Sequence, residues 1–258
     1  MDSSHLFEIS SAESAIMGYT IARGNNHSLV DAEQLVSQLQ QQRVDVLKLN
    51  LTDTLPNLYQ QLDALKLPYY VLGMVVEFKA IFKDEPIAYI NEEITFEEYL
   101  GTDETLFKQL VATIFSEVAG SYYINPHLPI TDSERLNAQC LAEYLCTQNS
   151  KYDVNKYTHL VYLKGKLAGF ITSYKQGSGG GVTYAGVLPQ FARKALFPDI
   201  ISFIQNYGRS IGQKWGIFHG QLQNSAALKM YCRAGLMPVG HGLSVHVNCG
   251  FGKGLALP

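Results

Sequence analysis

The sequence predicts a mixed α+β protein: a central mixed sheet flanked by helices, preceded by a smaller amino-terminal α/β domain. Two observations carry this. The second half runs as three strand-like segments joined by tight turns, then helix, strand, helix and strand, while the first hundred residues alternate helical and strand periods. Between them, residues 83–102 are acidic, with Glu92, Glu93, Glu97 and Glu98. Such a run reads as a solvated connector and sets an expected boundary between a domain at 1–98 and a second at 99–258.

Each element has its own signature. Residues 31–42 carry Ala32, Leu35, Val36 and Leu39 at helical spacing. Residues 44–51 alternate apolar and polar, the period of a half-buried strand. Leu58, Leu62 and Leu65 return to one helical face, and residues 68–82 form an aromatic and β-branched strand or strand pair. An amphipathic helix is expected over 105–118, then an aromatic, proline-bearing stretch at 121–129. The capping-box pattern Thr131-Asp132-Ser133-Glu134 opens a helix running to Asn149. Strands follow at 158–163, 167–174 and 182–188, the last two joined by a glycine-rich loop at 176–181. That loop lacks the spacing of a nucleotide-binding loop and leads into a strand. A helix near 198–211, a strand at 215–222, a helix at 225–234 and a strand at 239–247 complete the chain, and no internal repeat is read.

Composition narrows the function classes. With 47% hydrophobic and 17% charged residues the chain suits a soluble globular protein with a sizeable core. Its longest apolar runs are too short to cross a bilayer, and the opening residues lack a basic head followed by an apolar stretch. A cytoplasmic protein with no membrane partner is expected. A formal charge of −3 gives no reason to expect a nucleic acid. Cys140, Cys146, Cys232 and Cys249 form no C-x-x-C pair and no His cluster accompanies them, so no metal is expected and the thiols read as reduced.

Two segments carry chemistry. The strand Tyr184-Ala185-Gly186-Val187-Leu188-Pro189 leads through residues 190–197 into a helix. Further on, Asn224 stands as a natural helix N-cap, Ala227 follows, Tyr231 lies seven residues along the same face, and Gly235 ends the helix. Together these resemble the GNAT superfamily of acyl-CoA-dependent N-acyltransferases, whose strand ends in V-x-P and whose later helix reads N-x-x-A-x-x-x-Y-x-x-x-G-F, with Leu236 here for the last aromatic. The resemblance implies acetyl-CoA, or another acyl-CoA, as co-substrate. It implies contacts from Val187, Gln190, Arg193, Lys194, Ala195 and Asn224, a strand bulge near 185–187, and Tyr231 as general acid toward the departing thiolate, without an acyl-enzyme at Cys232. The family's R-G-x-G-x-G loop reads here as Ala192-Arg193-Lys194-Ala195-Leu196-Phe197, with all three glycine positions filled. Either Arg193 turns outward and joins Lys194 as a phosphate clamp, or the loop no longer accepts CoA.

The partner is expected to be a small-molecule amine. Residues 121–129, the following helix and Gln221-x-x-Asn224 resemble the dTDP-fucosamine acetyltransferases, which implies a nucleotide-linked amino sugar. An amino-acid or natural-product amine, or an inactive GNAT-like binding module, are the alternatives. A base must take the amine's proton. His246 is the first choice, since the superfamily's last strands border the acceptor pocket, ahead of His219, His241 and Glu143.

Overall fold

The computed structural model describes residues 6–52, 57–115, 125, 127, 128 and 133–252. The chain parts into two compact units, one of Met1–Val75, Ala119–Cys140 and Gly240–Pro258, the other of Val76–Val118 and Leu141–Val239. The boundary read at 98/99 therefore falls inside the second unit. Its acidic connector is in part a strand, β5 (Ile94–Glu98), which pairs antiparallel with β6 (Lys156–Leu163) through five register partners. Ile94 is buried while Thr95, Glu97 and Glu98 face solvent. The charges that suggested a connector belong to the wet side of an edge strand.

The first unit holds β1 (Glu8–Ile9), α1 (Ser11–Met17), β2 (Ile21–Asn25), α2 (Ala32–Gln41), β3 (Val46–Thr52) and α3 (Leu58–Ala64). Nothing before residue 31 was expected as an element. α2 starts where Asp31 accepts from the Gln34 N–H at 2.9 Å, a side-chain cap. β2 and β3 run parallel, and β3 pairs antiparallel with β10 (Met237–Asn248). Leu35, Leu39, Leu47, Leu49, Leu62, Val245 and Val247 are fully buried in its core. Residues 68–82 form one strand, β4 (Tyr69–Ile81), which contributes to both units, as does β10. Most of the 121–129 stretch, and Thr131 and Asp132 of the expected capping box, lie outside the described residues.

The second unit orders its strands as β4-β9-β8-β7-β6-β5, with β7 at Lys166–Gln176, β8 at Gly179–Val187 and β9 at Trp215–Gln221. It also holds α4 (Glu104–Phe115), part of α5 (Ser133–Cys146), α6 (Leu196–Ser210) and α7 (Ser225–Arg233). Helices α6 and α7 cover one side of the sheet through Leu196, Ile200, Ile204 and Tyr231, which pack with Phe78, Val161, Ile171 and Phe218. Phe107, Leu110, Val111, Ala142 and Leu145 of α4 and α5 pack with Leu160 and Phe170 in a separate cluster. Fold class thus matches the sequence reading: mixed α+β, a mixed sheet flanked by helices.

The glycine-rich segment read as a loop is mostly strand. Gly179, Gly180 and Gly181 pair in parallel with Trp215, Gly216 and Ile217. A Cβ at Gly179 would meet the Trp215 ring at 2.1 Å, and one at Gly180 the Tyr174 carbonyl at 2.1 Å. Glycine stands here because neighbours come too close for any side chain.

Candidate active site

Strand pairing makes the site. β8 and β9 hold parallel register only over Gly179–Gly181 and Trp215–Ile217, although β8 continues to Val187 and β9 to Gln221. Beyond the three pairs no register joins 182–187 of β8 to 218–221 of β9, among the described residues. A bulge helps to part them. Thr172 pairs with Tyr184 and Ser173 with Val182, so Thr183 is the extra residue. The Tyr184 N–H donates to Thr172 Oγ1 at 3.0 Å, and that hydroxyl donates to the Tyr184 carbonyl at 3.2 Å, which plugs the irregularity. The bulge expected at 185–187 is thus at Thr183, set by the side chain across the ladder.

Tyr231 reaches into the parted region. Asn224 accepts from the Ala227 N–H at 3.1 Å and fixes the start of α7, while Gly235 with φ +77° ends the turn beyond it. Two turns along, Tyr231 is 6% exposed, with its ring among Phe78, Phe197 and Phe218 at 5.2, 6.2 and 5.8 Å. Its hydroxyl donates to the His219 carbonyl of β9 at 3.2 Å. Burial pushes the phenol up to about 12, so it is a protonated donor throughout the neutral range.

The loop after β8 turns through left-handed backbone at residues that are not glycine. Pro189–Phe191 is a 3-10 turn, and Arg193 and Ala195 take φ of +65° and +55°. Both hold the left-handed conformation that glycine supplies freely. Phe197 is helical and turns toward Tyr231. α6 starts at Leu196, two residues before the expected Pro198, with no side-chain cap. Its first-turn N–H groups therefore present an uncapped positive helix end. Asp199 in that turn is fully buried and accepts from the Ile90 and Asn91 N–H groups and from Asn91 Nδ2.

Gln190, Phe191 and Lys194 also line a cleft of about 690 Å³ together with Asn91, Leu163, Lys164 and Lys166. Lys164 is paired with Glu93 at 3.0 Å, and Lys194 lies over the Phe191 ring at 5.5 Å. Three ammonium groups around one cleft, in a chain of net charge −3, form a local basic surface suited to phosphate.

Of the residues expected at the site, Val187, Gln190, Arg193, Lys194, Ala195, Asn224 and Tyr231 all belong to the second unit, in the segments flanking the parted strands. His246 does not join them. It is fully buried in the first unit, with Asn125 Nδ2 at 3.4 Å from Nδ1 and Lys48 opposite it in the β3–β10 register. Burial first, then the Lys48 charge, drives its imidazole down to about 3. A fully buried imidazole that resists protonation does not suit a base that must take an amine's proton. His241 is also on β10 in the first unit, Glu143 is held by Lys108 at 2.8 Å, and Cys232 is exposed on α7. His219 remains: its ring is 39% exposed, with Nε2 3.5 Å from Glu77 Oε1. Sequence reasoning passed over Glu77, although a lone acid in the apolar run of β4 was a visible signal. Among the described residues no group of His, Cys, Asp or Glu could hold a metal, and no helix is long and apolar enough to cross a membrane.

No protein-family model matches the sequence, and no curated protein matches it. Solved structures do. A functionally unknown conserved protein from Staphylococcus epidermidis aligns with TM-score 0.60 at 13% identity, covering 92% of this chain and 88% of its own. A tandem GNAT protein from the clavulanic acid biosynthesis pathway gives 0.57 at 9%, over 90% and 76%. A GCN5-related N-acetyltransferase from Kribbella flavida gives 0.55 at 11%, over 88% and 81%. At such identities the likeness is one of fold, and the fold is that of GNAT acetyltransferases.

Proposed function

We propose that the protein transfers an acetyl or other small acyl group from acyl-CoA to the primary amine of a small molecule, with Tyr231 as general acid. The observation that carries this reading is the parting of β8 from β9 with the Tyr231 hydroxyl on the β9 edge. A thioester carbonyl laid between the strands lies along the β8 backbone, where an N–H group polarises it. The uncapped start of α6 and the left-handed turns at Arg193 and Ala195 suit a pyrophosphate. Arg193 and Lys194, both exposed, add positive charge there, and Asn224 anchors the helix that carries Tyr231.

Tyr231 then gives its proton to the leaving thiolate. Burial holds the phenol near 12, so it keeps its proton at neutral pH for transfer to the thiolate. For the acceptor we favour a nucleotide-linked amino sugar, on the resemblance of Gln221-x-x-Asn224 and the segment before α5 to amino-sugar acetyltransferases. Thermal denaturation with acetyl-CoA tests the reading, since a ligand that binds the native state raises its apparent stability. A rise of several degrees at millimolar acetyl-CoA, followed by thiol release on addition of an amino sugar, is the expected result. No rise would overturn it, and release with amino acids alone would reassign the acceptor.

A further inference from the structure

We infer that His219, held by Glu77, is the base that takes the proton from the acceptor amine. This rests on the acyl-transfer reading and adds the residue that it lacks. Along β9, Gly216, Phe218 and Gly220 are buried, with Phe218 in the α6–α7 core, whereas His219 is exposed on the other face. β4 alternates in the same sense: Phe78 and Ala80 enter that core, and Glu77 faces away. The two polar side chains meet with Nε2 3.5 Å from Oε1. One residue thus touches both ends of the proposed chemistry, because the His219 carbonyl receives the Tyr231 hydroxyl while its ring stands on the open face.

The surroundings complete the arrangement. Tyr174 of β7 faces Glu77, its phenol raised by burial and then by that carboxylate's charge. Lys79, two residues along β4, lies over the Trp215 ring at 4.9 Å. Among the described residues, the charged and titratable groups that the pair and its strands bring together are Glu77 and Lys79 from β4, Tyr174 from β7 and Tyr231 from α7. Glu77 against Nε2 favours the tautomer that keeps its proton there and leaves the Nδ1 lone pair for the amine.

Protons balance as follows. The acceptor ammonium gives one to His219 Nδ1, which later passes it to solvent. The free amine forms the C–N bond, the C–S bond breaks, and the thiolate takes the Tyr231 proton. The amide nitrogen sheds its second proton, which restores the phenol through solvent.

The test measures pH–rate profiles for wild type, His219→Gln and Glu77→Gln alongside acetyl-CoA-dependent thermal shifts. His219→Gln is expected to keep its acetyl-CoA shift, to lose about 10²–10⁴-fold in kcat/KM near neutrality, and to recover as pH rises and the amine deprotonates itself. Glu77 acts through His219 as a positioning residue. Glu77→Gln is expected to lose less, in kcat with KM little changed, and Glu77→Asp to restore most of the rate. Wild-type rates near neutrality in both variants would overturn the inference. A wild type with no acetyl-CoA shift would overturn the acyl-transfer reading itself, a separable failure.

Discussion

Arg193 and Ala195 stand in left-handed backbone, at φ +65° and +55°, where an L-side chain crowds the following carbonyl at a cost of about 1–2 kcal/mol per residue. Two such residues two apart keep the chain on a path that glycine adopts freely. Ala195→Gly should therefore be neutral to stabilising by up to about 1 kcal/mol in urea unfolding, the relief of strain being offset in part by a freer unfolded chain. A clear loss would mean the conformation is not strained. At Tyr231, removal of the hydroxyl leaves the ring among Phe78, Phe197 and Phe218. Tyr231→Phe should lower kcat by about 10²–10⁴-fold and stability by only about 1 kcal/mol for the bond to the His219 carbonyl. Stopped-flow thiol release and a denaturation curve read the two effects apart, and an unchanged rate would remove Tyr231 from the chemistry.

Elements impose demands that residue types alone do not announce. The close parallel stretch of β8 and β9 exists because Gly179, Gly180 and Gly181 leave room for the Trp215 ring and the backbone of β9. Past Gly181 larger side chains and the Thr183 bulge end the pairing, and the strands part where Tyr231 arrives. Gly180→Ala would bring a methyl against the Tyr174 carbonyl and should cost about 1–3 kcal/mol, with loss of acetyl-CoA binding as the strands shift. Equilibrium unfolding and ligand-dependent thermal shift both report it. Unaltered stability would mean that the contact relaxes freely. β5 shows the converse: Glu97 and Glu98 made the segment look like a linker, while Ile94 and Tyr99, both buried, tie it to the sheet.

For the whole molecule, acid is the condition the packing resists least. His246 in the first unit and His159 in the second are buried, and burial lowers them to about 3 and about 4 from an ordinary 6.5. The unfolded chain therefore binds these protons first, so stability is complete above pH 6.5 and declines below it. Between pH 7.5 and 5.5 each histidine should contribute a loss of about 1 kcal/mol. Glu13 adds to this at lower pH. Burial alone would raise its carboxyl, but Lys48 at 2.6 Å and Arg23 at 2.8 Å hold it well below the ordinary 4.5. Its stabilisation is present above pH 4.5 and is lost as pH falls toward the folded-state value. Urea midpoints measured from pH 7.5 to 4 should fall steadily, less steeply in His246→Gln, and a flat profile would contradict the buried neutral histidines.

What the sequence determined by itself lies within one or two helical turns. Asn224 as a cap, Tyr231 seven residues on, Gly235 at the helix end and the alternation of the strands are fixed by local hydrogen bonds and short periods. Tertiary structure decided everything that depends on which strand lies beside which. It set His246 within the first unit and brought Glu77 of β4 to His219 of β9. It moved the bulge to Thr183 and turned a glycine loop into paired strand. Burial and cross-strand neighbours are properties of sheet order, and sheet order joins residues far apart in the chain that no local pattern links.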